Sequence, residues 1–297
     1  MLTRTSASRG AGSPEVVGFH DPVTGSCQYL AIDPATRAAA LIDIVLDFDT
    51  ASCRTTSASA EWALRLVREQ DVDLKLILDT HPHADHLSAG AWLRERTGVP
   101  LWSGARLRQI ADLWEGFYNL PGAFDPTADF DRLLEDGETF VLGDLEVRVM
   151  LSPGHTLGSI SFVMGDAAFV HDTFMQPDAG TSRADFPGGS ASDLYDSLTA
   201  ILALPDDTRL FIGHDYGTKD RTEPEWESTV AQQRAENLHL GGGTSREDFI
   251  ARREARDATL KLPARMLHAL QFNLRGGRLP DPEADGRSYF KLPANLF

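Results

Sequence analysis

The stretch Leu78-Asp79-Thr80-His81-Pro82-His83-Ala84-Asp85-His86-Leu87 decides the fold of this chain. The apolar run at residues 74–78 predicts a short buried strand. Apolar residues at helical spacing follow from Leu87 to Arg96, with Gly98 as a stop signal. The histidines are therefore expected on a strand-to-helix loop, the position at which α/β sheets place their chemistry.

Three histidines and one aspartate lie within six residues of that loop, although the 297 residues of the chain include only nine histidines. A loop at a strand end can direct several side chains at one point, which a helix cannot do. Imidazole nitrogens and carboxylate oxygens are ligands for zinc, iron, cobalt and manganese. So many histidines in one short loop are unlikely if the loop merely caps a helix and contains them by chance. We therefore predict a metal site.

The composition excludes several classes of function. A hydrophobic content of 42% and a charged content of 24% are typical of a soluble globular protein. The net charge of −16 argues against nucleic-acid binding, which needs a basic face, and against adhesion to an anionic membrane. No apolar run approaches a membrane span. The two cysteines, Cys27 and Cys53, form no secreted disulfide framework, so we expect a cytoplasmic protein.

The chain divides into three predicted segments. Residues 1–14 are rich in Ser, Arg, Gly and Ala, lack the apolar core of a secretory signal, and read as a polar N-terminal arm. Strands alternate with helices through residues 15–224, which we expect to form one α/β domain. Helical patterns dominate residues 225–297, beginning near residues 225–238, and predict a C-terminal extension packed on that domain.

Three further strand ends offer ligands: Gly154-His155-Thr156, Asp172-Thr173 and Gly213-His214-Asp215-Tyr216. Each is weak alone, but in this order after the first motif they resemble the metallo-β-lactamase superfamily. That resemblance implies an αβ/βα four-layer sandwich with the metal at one sheet edge. His171 stands where the superfamily usually has a small residue. It is expected to be a satisfied core histidine or a hydrogen-bond donor to Asp172.

The resemblance narrows to the persulfide dioxygenases. Thr80–Gly90, Gly180–Gly189 and Gly213–Gly217 are similar to the corresponding stretches of that family, and so is the tail at residues 270–297. The most discriminating element is Arg183-x-Asp185-Phe186, which glyoxalase II hydrolases are not expected to have. The resemblance covers nearly all of the chain after the N-terminal arm.

The resemblance implies one Fe(II) per chain, held by His81, His155 and Asp172. Two imidazoles and one carboxylate form the facial triad of non-haem iron oxygenases, which leaves open positions for a persulfide sulfur and for dioxygen. The implied reaction converts glutathione persulfide, dioxygen and water to glutathione and sulfite. Zinc or another divalent ion could substitute for iron in a purified sample. We also expect a homodimer.

Several alternatives stay open at this point. The resemblance implies either a supporting role behind the iron ligands or a vacant second metal site for His83, Asp85, His86 and His214. A two-metal thioester or lactone hydrolase of the glyoxalase II type could use the same residues, and a sulfur-responsive binding protein could keep them without turnover. Arg183 could hold a glutathione carboxylate or pair with Asp185. Tyr216 could hydrogen-bond the substrate or simply form a pocket wall.

Overall fold

The computed structural model describes residues 1–297, which form sixteen strands and eight helices. The strands are β1 (Leu2–Ser6), β2 (Glu15–His20), β3 (Cys27–Ile32), β4 (Ala38–Ile42), β5 (Val45–Asp49), β6 (Arg54–Thr56), β7 (Asp73–Leu78), β8 (Leu87–Ser88), β9 (Leu101–Gly104), β10 (Arg132–Leu134), β11 (Thr139–Leu142), β12 (Leu145–Leu151), β13 (Ile160–Met164), β14 (Ala167–His171), β15 (Arg209–Ile212) and β16 (Glu227–Thr229). The helices are α1 (Ala58–Glu69), α2 (Gly90–Thr97), α3 (Leu107–Tyr118), α4 (Pro126–Asp129), α5 (Ala191–Leu202), α6 (Val230–Glu236), α7 (Arg246–Asp257) and α8 (Met266–Asn273). None of these helices has the length and apolar character needed to cross a membrane.

Two large mixed sheets form the centre of the molecule. The first has the strand order β1-β2-β3-β4-β7-β9-β10, and the second has the order β11-β12-β13-β14-β15-β16. A small third sheet has the order β6-β5-β8. Strands β4, β7, β9 and β10 run parallel in the first sheet, as do β14 and β15 in the second. This architecture confirms the predicted four-layer αβ/βα sandwich.

Two buried clusters separate the layers. Adjacent residues of β2 contribute to different clusters, Val16 to one of 35 buried residues and Val17 to one of 32. This division follows from the two-residue period of a strand. The first cluster joins the two sheets, as in the edge-to-face contact of Tyr29 with Phe169, whose ring centroids are 5.4 Å apart. The second cluster packs the opposite face of the first sheet against α1, α3 and α8.

The parallel strand pairs bring the predicted ligand loops together. Ile42 at the end of β4 lies opposite Leu78 at the end of β7. In the second sheet, His171 at the end of β14 lies opposite Ile212 at the end of β15. The loops that follow these strands therefore leave the sheets as neighbours, and they carry the candidate site.

The first fourteen residues differ from the predicted polar arm. Leu2–Ser6 is strand β1, paired antiparallel with β2 at the edge of the first sheet. The turn after it is bound by the buried Arg209 guanidinium, which donates to Ser13 Oγ at 3.1 Å and to the Pro14 backbone oxygen at 2.9 Å. The polar composition concealed this strand because its side chains are mostly exposed at a sheet edge.

Two predicted helix starts were wrong. The helical pattern assigned to residues 225–238 begins with strand β16, which pairs antiparallel with β15, and α6 starts only at Val230 behind a Thr229–Gln232 capping box. The helix after the motif starts at Gly90 because Leu87–Ser88 pairs with β5. It ends at Gly98 as predicted, with φ of 70°.

Candidate metal centre

Seven side chains from four loops form two adjacent clusters at the sheet edge. The clusters are His81, His155 and Asp172, and then His83, Asp85, His86 and His214. Within each cluster the potential ligand atoms all lie within 4.8 Å of one another. Six of the seven residues are buried, and Asp85 is partly exposed. The structure therefore brings together every residue that the sequence analysis named for a first or second metal site.

The ring of His81 is held in one tautomer. Thr80 Oγ1 donates its proton to Asp43 Oδ2 at 2.8 Å, so at 3.0 Å it accepts from Nδ1–H of His81. The Nε2 lone pair of His81 remains free, 3.7 Å from Asp172 Oδ2. Burial, followed by nearby histidines, lowers the pKa of His81 well below its ordinary value. The ring is therefore neutral, as metal ligation requires.

His155 and His86 are fixed in the same way. Nδ1 of His155 donates to the Arg183 backbone oxygen at 2.9 Å, and Nδ1 of His86 donates to the Leu87 backbone oxygen at 3.1 Å. A carbonyl can only accept, so Nε2 is the free nitrogen in both rings. Burial lowers the pKa of both residues, that of His86 to about 4. Metal-bound histidines usually have this arrangement, in which an oxygen holds the other ring nitrogen.

The unpartnered atoms of these residues fit a divalent cation. Nε2 of His81, Nε2 of His86 and Nδ1 of His83 are buried without a hydrogen-bond partner. Nε2 of His155 lies 3.6 Å from Asp172 Oδ2, too far for a good hydrogen bond. Unsatisfied polar atoms in a protein interior require an explanation. A cation bound by imidazole and carboxylate groups supplies one, and this donor set suits iron or zinc.

His214 lies between the two clusters. Its Nδ1 is 2.6 Å from Asp172 Oδ1, and its Nε2 is 2.7 Å from Asp85 Oδ2 and 3.1 Å from Ser26 Oγ. Burial alone would lower the pKa of His214, but the charges of Asp172 and Asp85 outweigh it and hold the pKa well above its ordinary value. His214 therefore links the two clusters through one carboxylate of each, Asp172 and Asp85.

Asp43 belongs to the site, but sequence reasoning missed it. It follows β4 with φ of 53° and accepts from both N–H and Oγ1 of Thr80 at 2.8 Å. Its Oδ1 also lies 3.2 Å from His83 Nε2. Burial opposes protonation of His83, yet Asp43 raises the pKa of that ring above its ordinary value. The sequence feature that could have revealed Asp43 is its position just after a buried strand, which is also where the other candidate ligand loops begin.

His171 does not contact Asp172 as a donor. It is buried, its φ is 41°, and its Nε2 lies 3.0 Å from both Ser152 Oγ and Thr173 Oγ1. Burial is the largest effect on its pKa, which falls to about 3. Of the two interpretations of this residue, the core histidine fits better, but only Nε2 is satisfied, by the two hydroxyl groups, while Nδ1 is buried without a partner.

Arg183 pairs with Asp185. Its Nε and Nη2 donate to the two carboxylate oxygens at 2.6 Å and 2.7 Å, and its Nη1 donates to the Lys261 backbone oxygen at 2.7 Å. The guanidinium also lies 4.6 Å from the centre of the Phe186 ring. The Phe186 ring packs edge-on against the candidate ligand His155, with ring centroids 5.2 Å apart. Arg183 is therefore beside the centre, with its guanidinium engaged by Asp185 of its own loop and by the segment that follows α7.

Tyr216 stacks on the second cluster. Its ring is nearly parallel to that of His214, with an interplanar angle of 8° and a centroid distance of 5.7 Å. The residue is 66% exposed, in contrast to the buried histidines beneath it. It is therefore the accessible aromatic residue at this end of the centre.

Helix α7 holds the loop that contains Arg183. The buried Asp257 accepts from the Ala184 backbone N–H at 2.9 Å and from Arg253 Nη2 at 2.6 Å. Arg253 Nη1 also donates to the Thr181 backbone oxygen at 3.0 Å. Sequence reasoning missed both residues, because a charged pair four residues apart on a helix usually lies on the surface.

Comparisons with known proteins agree with this fold. Residues 32–214 match the family model of the metallo-beta-lactamase superfamily. The crystal structure of ETHE1 from Myxococcus xanthus superimposes with a TM-score of 0.70 at 31% identity, over 94% of this chain and 100% of that one. The mitochondrial persulfide dioxygenase ETHE1 of Homo sapiens is 29% identical, with 90% of this chain and 91% of that protein covered.

Several relatives with higher sequence identity to this chain are not named as persulfide dioxygenases. A beta-lactamase hydrolase-like protein from Xylella fastidiosa is 52% identical over 95% of this chain, and the chain spans 65% of that relative's length. Glyoxylase B2 from Dictyostelium discoideum is 38% identical, with 93% of this chain and 96% of that protein covered. The similarities extend well beyond the metal loops, but the names of the relatives include both hydrolase and dioxygenase activities.

Proposed function

This chain belongs to the metallo-β-lactamase superfamily, and on that premise we propose that it is an iron-dependent persulfide dioxygenase. The proposed reaction converts glutathione persulfide, dioxygen and water to glutathione, sulfite and two protons. The sulfur–sulfur bond breaks, and the inner sulfur leaves as the glutathione thiol. The outer sulfur loses four electrons, which dioxygen takes up. The oxygen atoms of sulfite come from dioxygen and water.

The observation that supports the proposal most is the cluster of His81, His155 and Asp172. Two neutral imidazoles and one carboxylate from three loops have ligand atoms within 4.8 Å of one another. This donor set is that of the facial triad of non-haem iron oxygenases. The similarity to persulfide dioxygenases over about 90% of the chain gives independent support.

The residues of the chain orient this triad before any substrate binds. Thr80 and the Arg183 backbone oxygen hold the rings of His81 and His155, so both Nε2 atoms face Asp172. Iron(II) bound there would supply electrons to dioxygen and open positions for both substrates, whereas zinc(II) has no redox chemistry. The burial of the ligands restricts the access of water to the reacting groups.

Arg183 and Tyr216 are the proposed substrate-binding residues. A guanidinium fork matches a carboxylate in two parallel hydrogen bonds, and Arg183 already binds Asp185 in this way. A glutathione carboxylate would take the place of Asp185 in that fork. The exposed Tyr216 ring on His214 would contact the bound persulfide from the opposite cluster.

A second candidate is a thioester hydrolase with two metals. Its support is the second cluster, in which His83, Asp85, His86 and His214 also lie within 4.8 Å of one another. Such a site would use a metal-activated water rather than redox chemistry. The relative named Glyoxylase B2 gives further weight to this alternative.

The two candidates differ in their need for oxygen. One preparation of iron-loaded full-length protein is assayed with glutathione persulfide in air and with a glutathione thioester under nitrogen, and His81→Ala serves as the metal-depleted control. We expect sulfite formation only with persulfide, oxygen and wild-type protein. Rapid thioester cleavage under nitrogen, without sulfite formation in air, would replace the dioxygenase proposal with the hydrolase.

A further inference from the structure

The side chain of Asn273 on α8 reaches the metal-binding loop. Its Nδ2 amide donates to the backbone oxygen of His83 at 2.8 Å and to that of His86 at 2.9 Å. Its Oδ1 accepts from the Ser88 backbone N–H at 2.7 Å. Asn273 is only 2% exposed. One buried amide thus binds three backbone groups of a single loop, nearly two hundred residues earlier in the chain.

The loop has little else to hold its backbone. Residues 81–86 lie outside every helix and strand, and they take part in no backbone–backbone hydrogen bond. The two carbonyl oxygens can only accept and the Ser88 N–H can only donate, so only one orientation of the Asn273 amide satisfies all three. An aspartate at position 273 would keep the shape and lose both donors.

We propose that Asn273 is a positioning residue of the metal centre, an inference that rests on the proposed metal-dependent function. By binding the backbone at His83 and at His86, it fixes the loop that carries the proposed ligand His81 and that places His83, Asp85 and His86 beside it. All three hydrogen bonds of its amide go to backbone groups, so it would act on the cation only through the loop. Residues that orient metal ligands from outside the coordination sphere commonly control metal affinity.

Gln271, on the same helix, provides a matched control. It is fully buried, its Nε2 donates to the backbone oxygens of Leu267 at 3.1 Å and Lys291 at 2.9 Å, and its Oε1 accepts from the Lys291 N–H at 3.1 Å. It therefore also donates twice and accepts once. Its partners belong to its own helix and to the C-terminal tail, and none belongs to the metal-binding loop.

The test compares Asn273→Asp with Gln271→Glu in full-length protein stripped of metal. Affinity for Co²⁺ is measured by competition with a chelator, and the melting temperature of each metal-free variant is measured in parallel. We expect Asn273→Asp to weaken Co²⁺ binding about 10- to 100-fold, the usual effect of losing such an orienting group. Gln271→Glu should bind Co²⁺ like wild type even if it melts at a lower temperature.

Equal Co²⁺ affinities in the two variants, or an equal loss in both, would overturn the positioning role. If Asn273→Asp does not fold, Asn273→Ala and Gln271→Ala repeat the comparison without an added charge, and the same two results decide it. The assay contains neither persulfide nor oxygen, so its outcome is independent of which reaction the enzyme catalyses. With iron-loaded protein, Asn273→Asp should also lower kcat at saturating iron while leaving KM for persulfide close to wild type.

Discussion

The Nδ1–H of His155 donates a 2.9 Å hydrogen bond to the backbone oxygen of Arg183. A proposed metal ligand and a proposed substrate-binding residue are therefore directly joined. The loop that contains Arg183 is also linked to a second proposed ligand, since the Ser182 hydroxyl donates to the Asp172 backbone oxygen. It is anchored to α7 where the Ala184 N–H donates to Asp257. A shift of this loop should change ligand orientation and substrate contact together.

Loss of a triad ligand should abolish iron binding. We predict that His81→Ala and His155→Ala lose both iron and activity, because each removes one of three ligands. His214→Ala should keep most of its iron at saturating iron concentration while its rate falls, because His214 acts on Asp172 through a hydrogen bond. Metal analysis of anaerobically purified protein measures this difference. Equal iron loss in His214→Ala and His81→Ala would place His214 among the ligands.

A change of Arg183 should affect substrate binding. An ammonium cannot form the two parallel hydrogen bonds of a guanidinium fork. We predict that Arg183→Lys keeps iron and raises KM for glutathione persulfide about tenfold, roughly 1.4 kcal/mol. Oxygen-uptake kinetics on the iron-loaded variant give KM and kcat. A wild-type KM with unchanged kcat would limit the role of Arg183 to its ion pair with Asp185.

The buried ion pair on α7 should matter more for stability than the exposed pair that joins α7 to α5. Arg253→Met leaves Asp257 buried without its cation, and we expect a loss of about 3–5 kcal/mol in the free energy of unfolding. Arg246 pairs with Asp196 at 2.8 Å, and both side chains are exposed. Arg246→Met should therefore cost less than about 1 kcal/mol. Urea unfolding of both variants measures the difference, and similar losses would contradict it.

His239 should make the protein sensitive to acid. Burial, followed by nearby arginines, lowers the pKa of His239 from 6.5 to about 4, and its Nδ1 accepts from the Thr181 N–H at 3.0 Å. Between these pH values the unfolded chain binds the proton and the folded chain does not. The free energy of unfolding therefore includes the full contribution of neutral His239 above pH 6.5, and this contribution declines as the pH falls toward 4.

The variant His239→Gln retains an acceptor that does not titrate. We predict that the stability difference between wild type and His239→Gln shifts in favour of the variant as the pH falls from about 7 to about 4. Thermal melts across this range test the sign. A difference that is constant, or that shifts toward wild type on acidification, would show that His239 does not titrate in this way.

The sequence predicted the metal loops because several ligands fall close together after apolar strands. One such group, His81, His83, Asp85 and His86, lies within six residues, so it can be recognised in the sequence without knowledge of the fold. Asn273 could not be found in this way, because its role depends on backbone oxygens far from it in sequence. The strand at residues 2–6 was missed because its exposed polar side chains show no apolar alternation.

The most direct test of the proposed activity is the ratio of oxygen consumed to sulfite formed. Protein loaded with iron, and a matched sample loaded with zinc, are given glutathione persulfide in an oxygen electrode, and sulfite is assayed in the same samples. We predict one dioxygen consumed per sulfite formed, at a rate proportional to bound iron, and no turnover with zinc. Persulfide consumption without oxygen uptake, or equal turnover with zinc, would contradict the assignment of a persulfide dioxygenase.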